Sequence, residues 1–204
     1  MAMEEDPKFL KKFDAFARKA ERYAEFTKQD RERLTGRLPD LYLDLLERDG
    51  WAAYRKGALW TCDPDDMKNV KQGWLEHFPK AEIFMQTAFG DFFFWDQRYC
   101  FTCSVNNSQI LYSSMRVTWF LAGIITNGAF FKSLGLPKYS NLGAKQCGPL
   151  TRDEVYFWVP AFALGGSPES SAIERGKMDV TLDLLRQMQD VFVDSTVPAG
   201  DELG

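Results

Sequence analysis

The stretch from Ile83 to Ser113, IFMQTAFGDFFFWDQRYCFTCSVNNSQILYS, constrains the fold more than any other part of the chain. It gathers Phe84, Phe89, Phe92, Phe93, Phe94, Trp95, Tyr99, Phe101 and Tyr112. Aromatic and β-branched residues in short runs broken by turn residues signal strands. The breaks fall at Gly90-Asp91, Asp96-Gln97-Arg98 and Asn106-Asn107-Ser108. They predict four strands, about 82–88, 91–95, 99–105 and 109–113. Turns this short join only antiparallel neighbours, so the strands form a meander. Side chains alternate along a strand, which sends Phe92 and Phe94 to one face and Phe93 and Trp95 to the other. A strand apolar on both sides is either covered on both, or covered on one and offered to a partner on the other. In the first case Phe93 and Trp95 are core. In the second, Asp91, Phe93, Trp95, Asp96 and Tyr99 form a partner-binding surface.

The remainder of the 204 residues is long enough to build a full core around this meander. A hydrophobic share of 45% and a charged share of 26% are those of a folded globular protein. The net charge of −4 argues against a general nucleic-acid binder and suits docking to a basic partner. Cys62, Cys100, Cys103 and Cys147 form no repeated pair, and a zinc site built on Cys100 and Cys103 would lack ligands. They are expected as reduced cysteines in or near the core. The opening MAMEEDPKF lacks the apolar region of a secretory signal. The longest apolar run, Val117 to Phe131, is interrupted by Thr118, Thr126, Asn127 and Gly128 and is too short to span a bilayer. The expected location is the cytoplasm, with no membrane association.

In chain order, Phe9, Phe13, Phe16, Ala20 and Tyr23 predict an amphipathic helix over about 8–26. Residues 8–37 hold ten Lys/Arg against five Asp/Glu, which reads as a solvated helix face or as a phosphate-contacting arm. Pro39 starts a second helix that Gly50 stops. WAAYRKGALW, residues 51–60, reads as irregular chain with a short strand around Gly57. Asp63 is expected to cap a third helix beginning at Pro64, with Met67, Val70, Trp74 and Leu75 on its buried side. Asp63, Asp65 and Asp66 lack the later Gly and Glu of a calcium loop. The single histidine, His77, has no second histidine for a metal and no nucleophile to serve. Met115 to Ser133 reads as a buried helix, and 138–145 as a short polar one. Thr151 and Glu154 have capping-box spacing and predict a helix through VYFWVPAFALGG, bent or ended by Pro160. Gly165-Gly166 lacks the Lys and Ser/Thr of a phosphate loop. A last helix is expected over about 170–193, burying Met178, Leu182, Leu185, Met188 and Phe192. No residue set points to a catalytic site, a cofactor or a metal.

The order of these signals resembles a known family. A Leu-Pro-Asp helix ends in Gly50-Trp51. Gly57-Ala58-Leu59-Trp60, Asp63-Pro64, Ala88-Phe89-Gly90-Asp91 and Trp95 follow. Near the end come Leu150-Thr151-Arg152-Asp153-Glu154-Val155-Tyr156 and Val159-Pro160-Ala161-Phe162-Ala163-Leu164-Gly165-Gly166. Over roughly residues 5–190 the chain resembles the bacterial type VI secretion immunity proteins that pair a GAD-like N-terminal part with an immunity C-terminal part. The resemblance implies an α+β fold similar to SMI1/KNR4-like proteins, an antiparallel meander packed with N- and C-terminal helices. It divides the chain into a GAD-like part (5–110), a helical immunity part (111–193) and a disordered tail (194–204), the first two forming one compact unit. It also implies a non-enzymatic inhibitor of a cognate toxin effector, a DNase, bound by direct stoichiometric contact. The competing expectation is a transcriptional regulator acting through the basic N-terminal helix. An enzyme using Glu154 or His77 is the third, and neither acid nor base has a partner in the sequence.

Overall fold

The computed structural model describes residues 8–17, 20–114 and 116–194. The chain opens with α1 (Lys8–Ala17), β1 (Glu21–Ala24), α2 (Lys28–Leu34) and α3 (Asp40–Asp49), then β2 (Trp51–Tyr54), β3 (Leu59–Thr61) and α4 (Lys68–Trp74). The aromatic stretch follows as β4 (Glu82–Thr87), β5 (Phe92–Trp95), β6 (Cys100–Ser104) and β7 (Gln109–Ser114). The C-terminal part comprises α5 (Val117–Trp119) running into a π-helical turn (Phe120–Ile124), α6 (Gly128–Ser133), α7 (Lys138–Cys147), β8 (Glu154–Val159), β9 (Ala172–Lys177), α8 (Met178–Met188) and β10 (Phe192–Val193). The fold is α+β, dominated by an eight-stranded sheet in the order β1-β2-β3-β4-β5-β6-β7-β10. Seven strands are antiparallel neighbours in chain order, and β10 closes the edge parallel to β7. β8 and β9 form a separate hairpin, tied to the end of β4 by the Tyr156 amide donating to the Ala88 carbonyl at 2.8 Å.

The expected meander is present, and its two apolar faces are both covered. Phe92, Phe94, Phe101, Cys103 and Ile110 pack under Val70 and Trp74 of α4 and Met178, Leu182 and Leu185 of α8. Phe94 and Phe101, paired across β5 and β6, stack with ring centroids 4.9 Å apart, and Phe78 lies 5.1 Å from each. On the other face, Phe84, Met85 and Phe93 meet Phe13 of α1, Tyr42, Leu43 and Leu46 of α3, and Val117, Phe120 and Leu121 of the α5–π segment. An irregularity in the β4–β5 register between Ile83 and Met85 lets Phe84 join this second face beside Met85. The Tyr42 hydroxyl donates to the Phe84 carbonyl at 2.5 Å. A third cluster, with Phe89, Phe131, Tyr156 and Trp158, fills the end where the β8–β9 hairpin docks.

Several elements differ from the sequence expectation, each for a physical reason. The first helix ends at Ala17, and Glu21–Ala24 pairs with β2 instead, because Arg22 donates to the Asp49 and Arg48 carbonyls and the Tyr23 hydroxyl to Thr61. WAAYRKGALW is a hairpin whose turn holds Arg55, Lys56 and Gly57 at positive φ. Asp63 does not cap a helix: α4 begins at Lys68, and Asp63 and Asp65 hold the Arg33 guanidinium. The Val117–Phe131 run breaks at Asn127, whose side chain accepts from the Ala129 amide and starts α6. Thr151 and Glu154 make capping-box contacts, the Thr151 amide and hydroxyl each donating to the Glu154 carboxylate at 2.9 Å, yet they launch a strand. The VYFWV that follows is β-branched and aromatic, and cross-strand pairing with β9 outweighs the local helical cue. The final expected helix is split into β9, α8 and β10.

Gly90 lies against α8. Its φ of +81° suits glycine alone, and a Cβ there would lie 2.6 Å from a Leu182 methyl of α8. Replacing Phe94 with Ala removes the ring stacked at the centre of this arrangement. The expected loss is about 3–5 kcal/mol of unfolding free energy, measured by urea denaturation. A loss under about 1 kcal/mol would contradict the described packing.

Candidate functional site

The residues that could have carried chemistry are occupied structurally. The His77 side chain is exposed, with Nε2 3.3 Å from Glu76 Oε1. Glu154 is tied into the Thr151 turn, whose backbone hydrogen bond holds its carboxyl below the usual range. The four cysteines form no disulfide; Cys62, Cys100 and Cys103 are buried and Cys147 is half-buried. Among the described residues no group of three His, Cys, Asp or Glu side chains is placed to hold a metal. No helix among them is long and apolar enough to cross a membrane.

Of the residues expected on an aromatic docking face, Asp91 and Phe93 are buried and Trp95, Asp96 and Tyr99 are half-buried. Phe93 is fully enclosed, and Asp91 is buried at the turn that leads into β5. Asp91 Oδ1 accepts from the Val105 amide at 2.9 Å, and the Asp91 carbonyl accepts from the Thr87 amide, so the residue pins two turns of the meander together. Burial pushes its carboxyl up to about 7, against the opposing pull of the Val105 amide and the Ser104 and Thr87 hydroxyls. Trp95 is half-buried and packs against the helical core. Asp96 shapes the β5–β6 turn: its Oδ1 accepts from the Arg98 and Tyr99 amides at 2.9 and 2.6 Å. Tyr99 lies edge-on to Phe101 and Tyr112. The structure therefore gathers Trp95, Asp96 and Tyr99 at one end of a hairpin and separates them from Asp91 and Phe93.

The basic arm is likewise engaged. Arg31 pairs with Asp44 and Glu47. Arg33 sits among Asp30, Asp63 and Asp65, and Arg37 grips both oxygens of Glu82. Lys11 and Lys12 are exposed, whereas Arg18 and Lys19 lie outside the described residues. Arginines committed in this way to protein carboxylates are not free to neutralise phosphates.

The exposed apolar surface lies elsewhere, on α8 and the end of β8. Met178, Leu182 and Leu185 face the core, but Val180, Leu184 and Met188 recur at i, i+4 and i+8 on the outer side. Leu184 is 52% exposed, and Met188, expected in the buried stripe, is 42% exposed. Phe192, also expected there, is exposed as well. Beside them Val159, Pro160 and Leu164 form the opposite wall of an apolar cleft of about 190 Å³, with Leu164 65% exposed. Leu184 also borders a second cleft, of about 480 Å³, that opens between α4 and α8 and is lined by Asn69, Gln72, Asp179, Asp183 and Arg186 as well. Asp179 and Asp183 have no salt-bridge partner among the described residues. A surface of this kind, an apolar strip rimmed by polar groups, suits protein docking and offers no reactive group.

Comparison with known proteins places the chain. Residues 7–109, more than half of its length, match the GAD-like domain. The chain belongs to the GAD-like domain family. Residues 117–189 of this GAD-like protein match the C-terminal part of the T6SS immunity protein Tdi1, and the two matches together support a type VI secretion immunity protein. No curated protein matches it significantly. Among solved structures, the crystal structure of Atu4351 from Agrobacterium tumefaciens matches with a TM-score of 0.73 at 18% identity, covering 92% of this chain and 93% of that one. That likeness establishes the shared fold. In this GAD-like protein the apolar strip lies wholly within the immunity-matching segment. The signal for it was present in the sequence as a second apolar stripe on the last helix, beyond the one that the core consumes.

The buried carboxyl of Asp91 makes a pH prediction. Its folded value lies above the unfolded one near 3.9, so the native state binds the extra proton between those values. Its contribution is complete below about pH 4 and is lost as pH rises through about 7. Asp91→Asn is expected to flatten that decline, measured by urea unfolding at a series of pH values. An identical pH dependence in both proteins would remove Asp91 as its source.

Proposed function

We propose that the protein neutralises a cognate type VI toxin effector by binding it directly in a stoichiometric complex, and that the effector is a DNase. The observation that carries this reading is the match of residues 117–189 to an immunity protein, in a segment that exposes an apolar, acid-flanked strip. A DNase presents a basic surface to its substrate, and an inhibitor with a net charge of −4 is steered onto such a surface. Binding takes place in the cytoplasm, where an incoming nuclease meets its substrate, and requires no turnover by the inhibitor. The α+β architecture, with helices on both faces of the meander, is consistent with a relationship to SMI1/KNR4-like immunity folds. Trp95, Asp96 and Tyr99, at the tip of one hairpin, are a secondary candidate for contact.

The test is co-expression with the effector encoded by the neighbouring gene. The protein is expected to restore colony counts to those of cells carrying a catalytically inactive effector, and to elute with that inactive effector as a 1:1 complex in size-exclusion chromatography. Equal killing with and without it, or separate elution of the two proteins at micromolar concentration, would reject the reading.

A further inference from the structure

Three features lie outside the packed core. The polar recess beside Asp91 and Ser104 has a volume of about 140 Å³, and its buried carboxyl is already bonded within the chain. The Arg33–Arg37 cluster is closed by carboxylates on every side. Among the described residues, the outer face of α8 combines exposed apolar side chains, a formed cleft and carboxylates outside any salt bridge.

We infer that the α8 strip docks a segment of the effector that carries one large apolar side chain flanked by lysine or arginine. This rests on the immunity reading above and assigns it a surface. The apolar cleft is walled by Val159 and Leu164 on one side and Leu184 and Met188 on the other. Its volume of about 190 Å³ is several times the ~30 Å³ share of a liquid water, which makes it room for a side chain rather than for a bridging solvent molecule. Anchors of this type, seated in apolar pockets, carry most of the energy of protein interfaces. Asp179 and Asp183 border the neighbouring cleft with Arg186, whose guanidinium is turned to the Gly73 and Gln189 carbonyls, and neither carboxylate has a salt-bridge partner among the described residues; Asp183 accepts from the Gln187 amide at 2.9 Å. Two carboxylates against the single Arg186 leave the cleft beside the apolar strip acidic, which favours a basic partner surface and disfavours a second copy of this face, which would bring like charges together. The inner side of the same helix is fixed to the sheet: Leu182 is fully buried and its carbonyl accepts from the Trp74 indole at 3.1 Å. The docking face is therefore held on a rigid element, which limits the ordering cost of binding.

The experiment titrates the catalytically inactive effector of the neighbouring gene into the full-length protein by calorimetry, at two salt concentrations, with sedimentation and thermal unfolding of each variant alongside. Leu184→Asp and Met188→Asp replace exposed side chains and are expected to keep the wild-type Tm while weakening binding by at least about 30-fold. Asp179→Lys combined with Asp183→Lys is expected to weaken binding and flatten its salt dependence. Wild-type affinity in both Leu184→Asp and Met188→Asp would overturn the assignment and leave the immunity reading standing. Failure of the wild-type protein itself to bind would take both. A Tm drop of many degrees in either variant would mean that another part of the chain covers the strip. A wild-type dimer that Leu184→Asp dissociates would mean that a second copy covers it. Either result also overturns the assignment.

Discussion

Strand β5 places Phe92, Phe93, Phe94 and Trp95 in succession, so neither of its faces can be left to water without a large cost. The rest of the structure is arranged to answer that demand. Helices α1 and α3 and the α5–π segment close over Phe93 and Phe84. Helices α4 and α8 close over Phe92 and Phe94. Because α4 comes from the middle of the chain and α8 from its end, the second face is completed only when the C-terminal segment has returned to the sheet. Polar groups are used sparingly at this junction. The Trp74 indole and the Arg186 guanidinium each reach across the α4–α8 contact to a backbone carbonyl, at 3.1 and 3.0 Å. Such bonds satisfy groups that burial would otherwise strand and fix the register of one helix on the other.

How much of this could be read from the residues depended on whether the local and the long-range signals agreed. The meander was legible because its alternation, its composition and its turn residues all point the same way, and the observed strands fall within a residue or two of the expected bounds at most ends. The first helix was over-extended because Ala20 and Tyr23 keep the helical spacing, while the partners that draw Arg22 and Tyr23 into a strand lie more than 25 positions away. Around Thr151 the local signal was real, since the capping contacts form, but the element that follows is decided by a strand 18 or more residues later. The same holds for Asp63 and Asp65, whose nearest use is as helix caps and whose actual partners, Arg33 and Arg37, come from an earlier helix and its exit. Ion pairs of this range leave no periodic trace in a sequence.

The candidate site was less legible for a related reason. Aromatic density marks a strand that must be buried, and without knowing how many helices arrive the same density can be taken for a sticky surface. Phe93 illustrates the first outcome, since every side of its ring is claimed by the fold. The residues of the exposed strip, Val180, Leu184, Met188, Val159 and Leu164, are aliphatic, and they stand out only by being left over once the core has been counted. A helix with apolar residues around most of its circumference calls for cover on every side, and the outer side of α8 is exposed.

The two sides of α8 thus answer to different constraints. Its inward positions are held by the shape of the sheet, and a change there is felt by the aromatic layer beneath. Its outward positions carry almost none of the folding energy, and exposed substitutions usually shift stability by no more than about 0.5 kcal/mol. The outer face can therefore be rewritten residue by residue while the inner face of the same helix stays still and the scaffold never has to be rebuilt.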